Sequence, residues 1–162
     1  MAKTEKPTVE ERLDVQELFA RYCWALNTGD EQGYLDLFAE GGWVDHKPHG
    51  RRSGEAIREM LHQIWYGAAY NYLGRQHLPN NFILTKEGEA IRVKAYWTIT
   101  RLEQAFNQFQ LFIQGHWDAL CVKDAEGDWK FAELTATHWF RETAPWVGET
   151  AEVRLERKLP WG

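Results

Sequence analysis

Ile91-Arg92-Val93-Lys94-Ala95-Tyr96-Trp97-Thr98-Ile99 alternates apolar and polar residues without a break. A side-chain period of two is that of a strand with one face buried. Working outward, a strand is expected over about 89–103. The Lys86-Glu87-Gly88-Glu89 turn joins it to an earlier strand, about 78–86. A long strand over about 109–123 follows, then a hairpin turn at Asp124-Ala125-Glu126-Gly127-Asp128 and a last strand over 129–140.

The half of the chain before these strands has helical spacing instead. Thr8 with Val9-Glu10-Glu11 forms a capping-box start, and Leu13, Leu18, Phe19, Tyr22, Cys23 and Leu26 keep one face to about Asn27. Thr28-Gly29-Asp30 stops that helix, and Asp30 caps a short second one through Tyr34, Leu37 and Phe38. Trp43-Val44-Asp45-His46 reads as a short strand. Ser53 is the expected cap of a third helix carrying Ile57, Met60, Leu61, Ile64 and Trp65, which runs on through the aromatic stretch 64–73.

Helices first and antiparallel strands after predict an α+β fold, a cone-shaped, strongly curved, mixed or antiparallel sheet wrapped around three N-terminal helices and enclosing a pocket. Residues 1–142 form one domain in this reading. Residues 143–162, with Trp146 and Trp161, form an extension acting as a lid or dimer arm.

Composition narrows the function. The net charge is −5 with no basic run, which excludes nucleic acid and anionic membrane as partners. Nine Trp, six Tyr and eight Phe exceed what a core of this size needs, and rings with a polar atom suit pockets and interfaces. Cys23 and Cys121 lack metal-ligand spacing and read as buried free thiols of a reducing compartment. With no apolar run of membrane-spanning length and no signal-peptide core, a cytoplasmic protein is expected. An outer sheet face in need of cover predicts a homodimer or homotrimer.

The chemistry centres on Gly74-Arg75-Gln76-His77-Leu78-Pro79-Asn80-Asn81-Phe82-Ile83-Leu84, where a histidine stands at the mouth of an apolar strand. Imidazole titrates nearest neutrality and exchanges protons with little tuning. A histidine that merely caps the strand end is the structural alternative. Among His46, His77, His116 and His138 no two lie one helical turn apart as a helical metal motif requires, and neither metal nor cofactor is expected.

Tyr22-Cys23-Trp24-Ala25-Leu26-Asn27-Thr28-Gly29-Asp30, Arg75-Gln76-His77, Gly115-His116-Trp117-Asp118 and Gly127-Asp128-Trp129-Lys130-Phe131-Ala132, in that order, resemble the SnoaL-like branch of the nuclear transport factor 2-like superfamily. The likeness spans about residues 9–140. It implies the cone fold and a group of dehydratases, isomerases, polyketide cyclases and lyases, alongside non-catalytic members such as the small subunits of ring-hydroxylating dioxygenases. Fold membership supplies a cavity, not a reaction.

By that resemblance His77 takes the place of the dehydratases' catalytic histidine, and Tyr22 that of an active-site tyrosine of bile-acid 7α-dehydratase. Where that enzyme pairs its histidine with an aspartate, this chain has Asn27, which orients imidazole but cannot stabilise imidazolium by charge. Asp30 and Asp118 are the alternative partners. Asp118 and His116 match cavity-facing positions of scytalone dehydratase. Against that, Phe109, Leu111, Ile113, Trp117 and Ala119 form an apolar alternate face that would turn both outward. The mixed opposite face (Phe112, Leu120, Val122) and the resemblance favour the cavity.

His46 and His138 fall at further pocket positions of the family, and His49 and His62 read as surface residues. The expected activity is a cofactor-independent lyase or isomerase acting on a hydrophobic, aromatic small molecule. His77, Tyr22, Asp118 and Asn27 would carry the chemistry. His46, His116, His138, Trp24, Trp65, Trp97 and Trp117 would hold the substrate. The rival is a non-catalytic partner or ligand-binding module with its pocket plugged.

Overall fold

The structure is a computed structural model that describes residues 5–47, 49–66, 74–103 and 106–139. The expected extension from residue 143 and the aromatic stretch 67–73 lie outside the described residues.

Helix α1, Val9–Thr28, begins as the sequence requires. Thr8 accepts from the Glu11 backbone N–H and Glu11 accepts from that of Thr8, and Gly29 ends the helix in the left-handed region at φ 79°. Val15, Leu18, Phe19, Tyr22, Cys23 and Leu26 are buried along one side. Helix α2, Glu31–Leu35, starts at Asp30, whose carboxylate accepts from the Gly33 N–H.

The spacing predicted that the second helix runs through Phe38, but Phe38 opens β1, Phe38–Lys47, which runs parallel to the last strand. The Phe131 N–H donates to the Leu37 carbonyl at 2.8 Å, so pairing across the sheet overrides the local helical spacing. Strand β2, Gly50–Ser53, hairpins back on β1 and was not anticipated. Its Gly-Arg-Arg-Ser sequence has no apolar face to reveal it. Ser53 therefore ends a strand, and Gly54 takes the cap position of α3, Glu55–Met60, without a side-chain bond. A π-helical turn, Leu61–Trp65, continues α3 and buries Leu61 and Trp65.

Strand β3, Gln76–Glu87, starts earlier than expected, so His77 lies within the strand and opposite Ile99. Strands β4, Ala90–Glu103, β5, Gln108–Lys123, and β6, Trp129–His138, complete an unclosed, curved, mixed sheet in the order β2-β1-β6-β5-β4-β3. Only the β1–β6 pair is parallel among these pairings.

Ile91, Val93, Ala95, Trp97 and Ile99 are buried on the inner face of β4, as their alternation requires. On β5 the expected apolar face from Phe109 to Ala119 breaks. The register shifts between Ile99 and Thr100, whose partners are Ile113 and Leu111. The extra residue, Phe112, inverts the alternation, leaving Phe109 and Leu111 exposed while Trp117, Ala119 and Cys121 stay inside. Both cysteines are buried free thiols, their pKa values pushed up to about 12 by burial. No described helix is long and apolar enough to cross a membrane.

Candidate active site

Cross-strand register gathers the site. On the inner face Trp97 of β4, Gly115 of β5 and His138 of β6 stand side by side, and Trp117, Ala136 and His46 form the adjoining row. Trp97 leans over Gly115, where an added Cβ would come within 2.1 Å of the indole and 2.2 Å of the Thr137 carbonyl oxygen. Gly115→Ala is therefore expected to cost about 1–3 kcal/mol of stability, measured by urea unfolding. An unchanged midpoint would mean that Trp97 is not held across β5.

The helices close the other side. Ring centroids follow one another from His77 to Trp65 at 5.2 Å, Trp65 to His46 at 5.6 Å, and His46 to His138 at 6.3 Å. The circuit continues from His138 to Trp97 at 5.0 Å, Trp97 to Trp117 at 6.0 Å, and Trp117 to Tyr22 at 5.6 Å. These residues, with Ile99 and Ala136, line a closely packed hollow with a cavity volume of about 10 Å³, at most the room of one water molecule.

His77 is buried, 5% exposed, and its ring is held by Asn27 at the end of α1. The Asn27 Oδ1 accepts the His77 backbone N–H at 3.3 Å and lies 2.7 Å from Nδ1. A backbone N–H can only donate, so the atom facing it is the amide oxygen, and the ring nitrogen against that oxygen must carry the proton. Nε2 is left with the lone pair. Burial, then the nearby Arg75 charge, holds the His77 pKa well below the usual histidine value, so the ring is neutral and basic at neutral pH.

Arg75 and Tyr66, which sequence reasoning did not single out, fix this corner. Arg75 donates to the carbonyls of Trp65 and Leu26, and the Tyr66 hydroxyl donates to that of Ala25. A helix C-terminus has unsatisfied carbonyls, and a cation two residues before His77 was the available signal.

His46 is 1% exposed, burial moves its pKa down to about 3, and neither ring nitrogen has a partner among the described residues. The Nε1 groups of Trp65 and Trp97 are likewise buried without a partner among the described residues. His138 places Nδ1 3.1 Å from the Lys47 carbonyl, which fixes that nitrogen as the donor. Burial keeps the Tyr22 hydroxyl well above its usual pKa and therefore protonated, against Tyr34 and Trp117.

Three expected site residues lie elsewhere. His116 and Asp118 alternate with the buried Gly115, Trp117 and Ala119, so the two-residue period turns them to the outer face. There His116 accepts from the Trp139 indole at 2.8 Å, and Asp118 pairs with Arg92 at 3.3 Å. Asp118 therefore does not partner His77, nor does His116 line the hollow. Trp24 is 70% exposed, because it sits on the far side of α1 from Tyr22 and Cys23. Asp30 caps α2 instead. His49 and His62 are exposed, as expected.

A family model for the SnoaL-like domain matches residues 7–135. The chain belongs to the SnoaL-like family. No curated protein sequence matches it. Solved SnoaL-like and nuclear transport factor 2-like structures share its fold. A protein of unknown function with a cystatin-like fold from Nostoc punctiforme is 20% identical, with TM-score 0.72, over 83% of this chain and 96% of its own. ActVI-ORFA from Streptomyces coelicolor is 16% identical, with TM-score 0.71, over 80% and 98%. LinA is 15% identical, with TM-score 0.69, over 88% and 93%. The SnoaL-like family includes polyketide cyclases, isomerases and dehydratases, and such enzymes as LinA, a dehydrochlorinase.

Among the described residues, no group of three or more His, Cys, Asp and Glu side chains is placed to hold a metal ion.

Proposed function

We propose that this SnoaL-like protein is a lyase or isomerase that uses its own side chains for general acid/base chemistry on a small aromatic molecule. One observation carries the reading: a buried imidazole, locked by Asn27 with Nδ1 protonated, presents a basic Nε2 in a ring-lined hollow. Nε2 takes a proton from carbon next to a carbonyl, the C–H pair moves into an enolate, and a β-hydroxyl departs. The proton on Nε2 leaves with that hydroxyl as water, so the enzyme returns to its starting state. Retro-aldol loss of formaldehyde from a hydroxymethyl compound needs the same base acting on oxygen.

The tightness of the hollow favours a second reading, a non-catalytic member whose cavity is filled. Its unpartnered nitrogens weigh against that. A buried donor or acceptor left unmade costs about 1–3 kcal/mol, and His46, Trp65 and Trp97 all carry one. A hollow that served only as core would be cheaper with apolar residues there.

The test is incubation in deuterium oxide with a panel of β-hydroxy aryl ketones and hydroxymethyl phenols, read by mass spectrometry. Deuterium uptake at carbon or elimination is expected for at least one compound and should survive chelator treatment. No exchange and no elimination across the panel would remove the reading; activity lost to chelator and restored by zinc would replace it with a metal mechanism.

A further inference from the structure

Helix α1 has a second apolar line. Val9, Leu13, Ala20 and Trp24 recur at steps of four, seven and four residues, which keeps them within a strip about 60° wide on a helix of 3.6 residues per turn. The strip faces away from Val15, Phe19, Tyr22 and Leu26 in the core. Val9 is 74% exposed, Leu13 61% and Trp24 70%, with Ala20 exposed between them. A helix that only packs its inner side on a sheet carries polar residues on the outer one. Three large exposed side chains in line mark a contact surface, and they give Trp24 a place outside the hollow.

The strip carries charge in an order that fits its own reverse. Arg21 donates from Nε and Nη2 to one oxygen of Glu17, Oε1, at 3.0 and 2.6 Å. Both side chains are more than half exposed, so the other carboxylate oxygen and the remaining guanidinium N–H groups can meet a further pair of charges. Lay a second α1 antiparallel on the first about a twofold axis, with Leu13 opposite Trp24. Ala20 then stands opposite Glu17, Val9 opposite Thr28, and each Glu17 lies diagonally beside the Arg21 of the other copy. A large side chain meets a smaller one and acid meets base, twice over because the contact is isologous. Thr28 brings no unsatisfied hydroxyl, since it donates to the Trp24 carbonyl at 2.8 Å. The parallel arrangement would set Glu17 against Glu17 and Arg21 against Arg21.

We propose that this outer strip of α1 is the contact through which two copies of the chain pair antiparallel. The inference goes beyond the acid/base reading of the hollow and does not depend on it. It puts the self-association expected from the sequence on α1 instead of on the outer sheet face. Beside Trp24 an open trough between α1 and α2, lined by Arg21, Thr28, Gly33, Asp36 and Leu37, receives Leu13 of the second copy. One helix pair lies at the small end of specific interfaces, so the dimer dissociates in the micromolar range.

Sedimentation velocity of the full chain from about 1 to 100 µM, a range that brackets such a contact, tests this. A shift from monomer to dimer with concentration is expected. Trp24→Ser and Glu17→Arg should each raise the dissociation constant at least about tenfold, the first by removing the central ring and the second by placing like charges together. Glu17→Arg combined with Arg21→Glu exchanges acid and base on both copies, so pairing should return to within about threefold of the parent. Ile83→Lys and Tyr96→Lys, exposed on the outer sheet face, should leave pairing unchanged. All these side chains are exposed, and circular dichroism should match the parent throughout.

A monomer at every concentration overturns the proposal, and so does a trimer. Pairing that Trp24→Ser and Glu17→Arg leave intact overturns it too, as does a double variant that pairs no better than Glu17→Arg alone. Loss of pairing in Ile83→Lys or Tyr96→Lys, with the α1 variants unaffected, would move the contact to the sheet.

Discussion

His77→Gln is expected to lower turnover at least about a hundredfold, the usual scale for loss of a general acid/base, with little effect on folding. Glutamine fills a similar volume and its amide can still donate to Asn27 Oδ1, so the hydrogen bond that holds the corner has a replacement. What it lacks is a basic nitrogen at the position of Nε2. Circular dichroism should match the parent, and turnover on whichever panel compound is processed should fall. Retained turnover would show that His77 only positions strand β3.

The companion change, Asn27→Asp, distinguishes base from scaffold. A carboxylate accepts the same two hydrogen bonds and adds a negative charge beside the ring, which favours imidazolium. The acid limb of kcat/KM should therefore move to higher pH, with the parent limb well below the ordinary histidine value because burial disfavours the charged ring. A limb that does not move in Asn27→Asp would mean that another group titrates.

The second large effect is on stability in acid. His46, His77 and His138 all have folded-state pKa values below the ordinary one, and burial is the largest cause for each. Mutual repulsion adds to this: His46 faces His138 and His49, and His77 faces Arg75, His46 and His138. Below about pH 6.5 the unfolded chain binds protons on these rings that the folded chain refuses, so stability falls as pH falls and is flat above. For His46 the window runs down to about 3.

Each fully refusing ring contributes roughly 1.4 kcal/mol per pH unit within its window. Two such rings would remove roughly 3 kcal/mol between pH 6 and 5, a large share of a typical total. The lowered carboxylates Glu11 and Asp124 also lose stability in acid, but only nearer their own lower values. Urea unfolding at pH 7, 6 and 5 measures the slope, and His46→Gln should reduce it by about one proton. Stability that is flat from pH 7 to 5 would show that these rings are hydrated or protonated in the folded protein.

The sequence by itself determined the class of fold and where its centre lies. Strict alternation in β4 can only bury one face, the α1 stripe from Val15 to Leu26 can only bury another, and the two must meet. The likeness around Tyr22, Asn27 and His77 also named residues that the fold brings together, since those positions depend on α1 and β3 alone. What depended on register did not show. A bulge at Phe112 inverts the faces of β5, pairing with β6 draws Phe38 out of a helix, and β2 has no apolar pattern. Whether His116 and Asp118 looked in or out was a matter of parity, and only the burial of Trp117 and Ala119 against the helices decided it. The ring of His46, His138, Trp65 and Trp97 around His77 is assembled from four elements far apart in the chain. Local residue patterns hold no record of which strands lie side by side, so only the folded sheet could bring them together.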